Sequence, residues 1–175
     1  MSLKRSSAAS NAGPLIHLTK INCLHPLKAL FQEIIIPAEV KVETVDKGKE
    51  RGFPDAVKIE KAINEGWIRI KKIEPNKGLI EVAKIAGLQV AEVAIIYYAY
   101  HNQTIALLDD EPARIFARTL GVSVRGSLGI ILDALKKNLL SRREALEALD
   151  KLSEVMYLSP YIYRLVKREI EREAI

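Results

Sequence analysis

Apolar positions along this chain alternate between short unbroken runs and stretches spaced at three and four residues. The run "EIIIP" at 33–37 is continuous and closed by proline, the pattern of a buried strand. "TIALL" at 104–108 is equally unbroken and predicts an interior parallel strand. "WIRIKKI" at 67–73 alternates as a half-buried strand does, and "VSV" at 122–124 is long enough for a brief one. A first strand is placed at 5–10, although "RSSAAS" is poor strand material.

Between these runs the spacing turns helical. A helix is predicted from Pro14 through "LIHLTKI", a short one over "LHPLKALF", and another over "PAEVKVETVDKG" with Gly48 as its stop. In "GFPDAVKIEKAINEG" the residues Ala56, Ile59, Ala62 and Ile63 share one face, and Gly66 ends the element. "GLIEVAKIAGL" is a short helix broken at Gly87, and "VAEVAIIYYAYHNQ" is apolar almost all round, as a helix lying deep against a sheet should be. "EPARIFARTLG" carries Pro112 in its first turn and Gly121 at its end, and "GSLGIILDALKKNLL" follows the last strand. Ser141 with Glu144 makes a capping box for "RREALEALDKLSEVM", and Ser159–Pro160 opens "SPYIYRLVKREIEREA". Strands alternating with helices define an α/β domain with a mainly parallel central sheet. The expected division is a core over 1–140 and a helical extension over 141–175, packed on that core or on a second subunit. Tyr157, Tyr161, Tyr163, Leu165 and Val166 of the extension are expected in the core, as are Trp67 and the tyrosines at 97, 98 and 100.

Composition narrows the class without naming a chemistry. Of 175 residues, 49% are hydrophobic, which is globular rather than disordered. No apolar run approaches the roughly 18 residues that span a bilayer, and no signal-length apolar stretch follows the basic start, so a cytoplasmic location without membrane contact is expected. The lone Cys23 excludes an intrachain disulfide framework and a cysteine-cluster metal site. A net charge of +5 permits a polyanionic partner without requiring one, because Lys and Arg are interspersed with Glu.

Candidate chemistry gathers in acids. Ligands of an open parallel sheet collect beyond the carboxyl ends of its strands, and Asp109–Asp110 stand at such an end. One of the two can cap the helix that starts at Glu111–Pro112; two in series exceed what a cap needs. Glu92 is the only acid of the very apolar helix "EVAIIYYAY", and Glu43 lies just after the second strand. If these acids share one cleft, they raise each other's pKa values unless a cation compensates, and Mg²⁺ or Mn²⁺ suits carboxylate oxygens. Such a cluster would polarise a phosphate and activate water.

Several stretches, in order, resemble the PIN-domain family, in particular its archaeal and bacterial subgroup of predicted nucleic-acid-binding PIN-like proteins. They are "SNAGPLIHLTKI" at 10–21, "IIIPAEVKVETV" at 34–45, "EGWIRI" at 65–70, "AEVAI" at 91–95, "LLDDEPAR" at 107–114 and "LGVSVRGSLGIILDALKKNLL" at 120–140. The resemblance implies a three-layer α/β fold, a cluster of three or four acids binding one or two Mg²⁺ or Mn²⁺ ions, and ribonuclease activity of the kind found in toxin–antitoxin pairs. It places the family's acids at Asn11, at Glu43 within the spacing Pro37, Val40 and Glu43, at Glu92, and at Asp109 or Asp110. Asn11 departs from the pattern, since an amide coordinates only through a neutral oxygen. The same side chain also suits a hydrogen bond across the turn at Gly13–Pro14.

Around these acids Ser127 is expected either to meet a phosphate or to cap its helix, and Arg114 and Arg125 either to hold substrate phosphate or to be solvated. His17 is expected to be structural rather than a ligand. The function expected is a Mg²⁺- or Mn²⁺-dependent ribonuclease, toxin-type in character and weakened by Asn11, with RNA, an antitoxin-like protein and a second copy of the chain as partners. The alternatives are an inactive PIN-like module that binds nucleic acid or protein, and a structural oligomer.

Overall fold

A computed structural model describes residues 7–173. Its centre is a five-stranded sheet, all parallel, in the order β3-β2-β1-β4-β5, with helices on either side in a three-layer α/β arrangement. The strands are β1 (Ala8–Ser10), β2 (Ile34–Ile36), β3 (Ile68–Ile70), β4 (Ile105–Leu107) and β5 (Val124–Arg125). Ile34, Ile35 and Ile36 are fully buried, as are Ala106, Leu107 and Leu108, because parallel strands covered on both faces leave no polar side. β1 has weak strand propensity, yet it lies at the middle of the sheet. Ladders to both β2 and β4 hold it, and Ala8 and Ala9 admit the close approach of a helix. Residues 5 and 6 of the strand expected there lie outside the described residues.

The helices follow the apolar spacing closely: α1 (Ala12–Lys20), α2 (His25–Leu30), α5 (Pro54–Asn64), α6 (Lys77–Ile85), α7 (Val90–Asn102), α8 (Glu111–Thr119), α9 (Ser127–Lys136), α10 (Arg142–Val155) and α11 (Pro160–Arg172). Buried along most of its length, α7 lies on β1 and β4. α10 packs against α1 and α9, and its Ala145, Ala148, Leu149 and Leu152 join the same buried cluster as the sheet, with Ile170 of α11. Ser141 and Glu144 form the reciprocal cap, with Ser141 N–H donating to Glu144 at 2.7 Å. Among the described residues no helix is long and apolar enough to cross a membrane.

Gly48 overturns its expectation. The chain runs helically through α3 (Ala38–Lys41), a π-helical segment Val42–Asp46 and α4 (Lys47–Glu50), so Gly48 is inside the helix, and Gly52 at φ 71° ends it. Gly48 is there for closeness: a Cβ added to it would lie 2.8 Å from the Ala56 Cβ of α5. Gly48→Ala should therefore cost about 1–3 kcal/mol from overpacking, less the roughly 0.5–1 kcal/mol alanine gains in a helix. Urea unfolding of the two proteins checks it, and a stabilised variant would mean that α4 and α5 can separate freely.

The aromatic expectations also need correction. Tyr157 is 87% exposed, Tyr161 and Leu165 are exposed too, and only Tyr163 and Val166 of that set are half-buried. Trp67, Tyr97 and Tyr98 are half-buried, whereas Tyr100 is exposed. The reason is position: α11 is the outermost helix in sequence and buries one residue fully, Ile170, so its other apolar residues face outward or along its edge.

Candidate functional site

Strand order reverses between β1 and β4, because the chain leaves β1 toward β2 and β3 and later returns on the other side. The crevice at the carboxyl ends of these two strands is where a sheet of this kind accepts a ligand. Asn11 follows β1, and Leu108, Asp109 and Asp110 follow β4. A hydrogen bond from Asn11 N–H to the Leu107 carbonyl, 3.1 Å, ties the two strand ends together.

The two aspartates have different jobs. Asp109 turns inward: its Oδ1 accepts the Ser127 N–H at 2.6 Å, and its Oδ2 accepts the Ser127 hydroxyl at 2.6 Å and His17 Nδ1–H at 2.8 Å. Burial opposes its ionisation, but the hydrogen bonds from His17 and Ser127 outweigh burial and hold its pKa below the ordinary value of 3.8. Gly126 permits this approach. A Cβ there would stand 2.9 Å from Asp109 Oδ1 and 3.3 Å from the Leu108 carbonyl. Asp110 instead stays exposed and caps α8, its Oδ2 accepting the Ala113 N–H at 3.2 Å.

Glu92 is buried at the first turn of α7, with Oε2 accepting the Gln89 N–H at 2.8 Å. Burial raises its pKa, the Gln89 amide draws it partly back, and the negative charges of Asp110 and Glu43 raise it further. Those two charges therefore reach Glu92 across space, from the ends of β4 and of the π-helical segment. Glu43 sits in the first turn of that segment. Among the described residues, no Lys, Arg or His lies within 4.0 Å of the carboxylates of Glu43, Glu92 or Asp110. Three like charges in one neighbourhood, without a cation, form an electrostatic deficit.

These donors suit a hard divalent ion: carboxylate oxygens, partly unengaged, with the Glu92 pKa raised by burial first and by the charges of Asp110 and Glu43 after it. Among the described residues, however, no three His, Cys, Asp or Glu side chains gather closely enough to enclose an ion. The fit is to an ion that keeps most of its water and is held through one or two carboxylates, as Mg²⁺ commonly is.

The remaining candidates separate. The Asn11 side chain makes no cap hydrogen bond, and the turn bond expected of it is not formed among the described residues. Ser127 is fully buried and gives both its N–H and its hydroxyl to Asp109, and the helix cap is Gly126 rather than Ser127. Arg125 donates to Asp133 at 3.0 Å and to the Val124 carbonyl at 3.2 Å, so its guanidinium is largely engaged. Arg114 lies beside Gly126, and its Nε is buried without a hydrogen-bond partner among the described residues. His17 is structural, as its apolar helix suggests, but its bond to a residue 92 positions away carried no local signal. Gly126 was likewise missed, and its place between Asp109 and Arg114 is visible only in space.

An all-parallel five-stranded sheet flanked by helices, with Asn11 and Asp109–Asp110 following the two strands at its switch point, defines an open-sheet α/β protein. A family model described as PIN domain matches residues 7–172, and the chain belongs to the PIN-domain family. Neither a curated protein nor a solved structure gives a significant match to it.

Proposed function

We propose that this protein is a divalent-metal-dependent ribonuclease whose reaction centre is the group Glu43, Glu92, Asp110 and Asn11. The observation that carries the reading is negative charge without a cation: Asp110, after β4, and Glu43 both act on buried Glu92, and none of the three has an ion-pair partner within 4.0 Å among the described residues. One or two of the carboxylates of Glu43, Glu92 and Asp110 would hold a largely hydrated Mg²⁺ or Mn²⁺ ion, with Asn11 offering a neutral oxygen to its water shell. When bound, the ion supplies charge neutralisation at the phosphate and a more acidic water.

Glu92 Oε1, the oxygen not taken by Gln89, is the acceptor for a proton from the attacking water, and a raised pKa suits that task near neutrality. Asp110 keeps its place through its cap on α8. Asp109 does not touch the substrate in this reading; with His17 and Ser127 it fixes the start of α9 against α1.

Asn11 favours a second reading, a PIN-like module that binds nucleic acid without cutting it, because an amide in that place leaves the group one charge short. The two are separated by measuring Mn²⁺ binding by calorimetry and cleavage of single-stranded RNA, for the native chain and Asn11→Asp. The expected result is cleavage in Mn²⁺ or Mg²⁺, none in EDTA, and Mn²⁺ affinity roughly tenfold tighter in Asn11→Asp, about 1.4 kcal/mol. No metal binding and no cleavage by either protein would overturn the nuclease reading.

A further inference from the structure

Next to the acids, on the β5 side, opens a cleft of about 770 Å³ between α8, β5, α9 and the connection from α10 to α11. Asp109 lies at one wall. Arg114 and Arg118 enter from α8 one turn apart, Arg125 from β5 and Lys136 from the end of α9. Leu128, Leu132 and Ile162 are among the apolar residues of the lining, to which exposed Tyr157 also belongs.

The cations of this cleft are unevenly used. Arg125 is bound to Asp133 and to a backbone carbonyl. Arg114 and Arg118 share one acid, Glu111, at 3.7 and 3.8 Å, both longer than a hydrogen bond, and Glu111 is largely exposed. Contacts of that kind are worth little. Among the described residues no side-chain hydrogen bond is donated by either arginine or by Lys136, and Arg114 Nε is shut away from solvent with its donor unmet. A buried donor without an acceptor is costly and rare in native proteins, and here it belongs to a guanidinium that lines an open cleft. The planar fork of arginine fits the oxygens of a phosphate, and the side chains of Arg114 and Arg118, 29% and 50% exposed, line the cleft where one would bind.

We propose that this cleft is a subsite for single-stranded RNA, in which Arg114, Arg118 and Lys136 hold the phosphodiester backbone beside the acidic centre and Tyr157 stacks on a base. The inference rests on the nuclease reading for its substrate class alone. Tyr157 is the largest exposed aromatic surface in the lining, at 87%, and an exposed ring next to unengaged cations is the arrangement by which single strands are gripped without sequence preference. An acidic peptide would meet the same cations but has no base to stack on Tyr157.

The test is fluorescence anisotropy of a 5′-labelled 12-nucleotide RNA in EDTA, which prevents cutting, over a range of salt. The double variant Arg118→Gln/Lys136→Gln is expected to bind at least tenfold more weakly and to lower the salt slope by about 1.4, two phosphates at ~0.7 each. Tyr157→Ala is expected to lose at least about fivefold with an unchanged slope. Arg69→Gln/Arg143→Gln removes two exposed cations outside the cleft and should bind as the native chain does. A cleft double variant that binds like the native chain, or a control that loses as much, overturns the subsite. So does binding of labelled poly-glutamate by a protein that has no affinity for the RNA. Cleavage in Mn²⁺ at saturating RNA is read separately. A native protein that cuts RNA while the cleft variants bind normally sinks the subsite and spares the nuclease. Cleft-dependent binding without cutting in any metal does the reverse.

Discussion

Glu92→Gln should cut RNA at least about 100-fold more slowly than the native chain and yet melt about 1–3 °C higher at neutral pH. Both effects follow from one carboxylate. Folding buries Glu92 near Asp110 and Glu43, so the folded protein binds its proton more tightly than the unfolded chain does. Between the ordinary value of 4.5 and the raised folded value, folding takes up a proton, and stability falls as the pH rises through that window. Above the window the full cost of the buried charge is present. Glutamine removes the charge but keeps an oxygen for the Gln89 N–H, so the helix cap survives. The stability gained should be largest above the window and vanish below pH 4.5. Melting curves from pH 4 to 8, beside a cleavage assay, check both effects. Lower stability together with lost cleavage would make Glu92 a structural residue.

Asp109→Ala should do the opposite and destabilise the fold by about 3–5 kcal/mol, a large part of the roughly 5–15 kcal/mol that holds a domain of this kind together. It strands the Ser127 N–H, the Ser127 hydroxyl and His17 Nδ1–H, three donors now satisfied by one carboxylate. Because folding lowers the Asp109 pKa, the folded protein releases that proton more readily than the unfolded chain. The contribution is complete above the unfolded value near 3.8 and disappears as the pH falls through the lower folded value. Urea unfolding at pH 7 and again in acid should show the gap between native and variant narrowing at low pH. A variant that keeps native stability and loses only activity would make Asp109 a direct participant in the reaction, against the assignment of that role to Asp110.

The contrast between these two acids shows which parts of the site could be read from residues in a row. That Asp109 and Asp110 lie at the end of a buried strand, ahead of a helix, follows from "TIALL" and Pro112. Which of them faces inward does not, since both occupy the same local pattern. The answer came from His17 on α1 and Ser127 on α9, which strand order brings to the end of β4. Gly48 teaches the same lesson about packing. A glycine ending an apolar stretch reads as a stop, but the residue that requires it, Ala56, lies on the next helix.

By itself, then, the sequence determined the succession of strands and helices, the capping box at Ser141, and the family to which the chain belongs. These rest on interactions within about four residues or on repeating apolar spacing, and both are written along the chain. Only the tertiary structure decided the central place of β1, the division of work between Asp109 and Asp110, the exposure of Tyr157 and the unengaged donors of Arg114. Each of these depends on which distant segment arrives beside the residue, and strand order and packing distance fix that arrival.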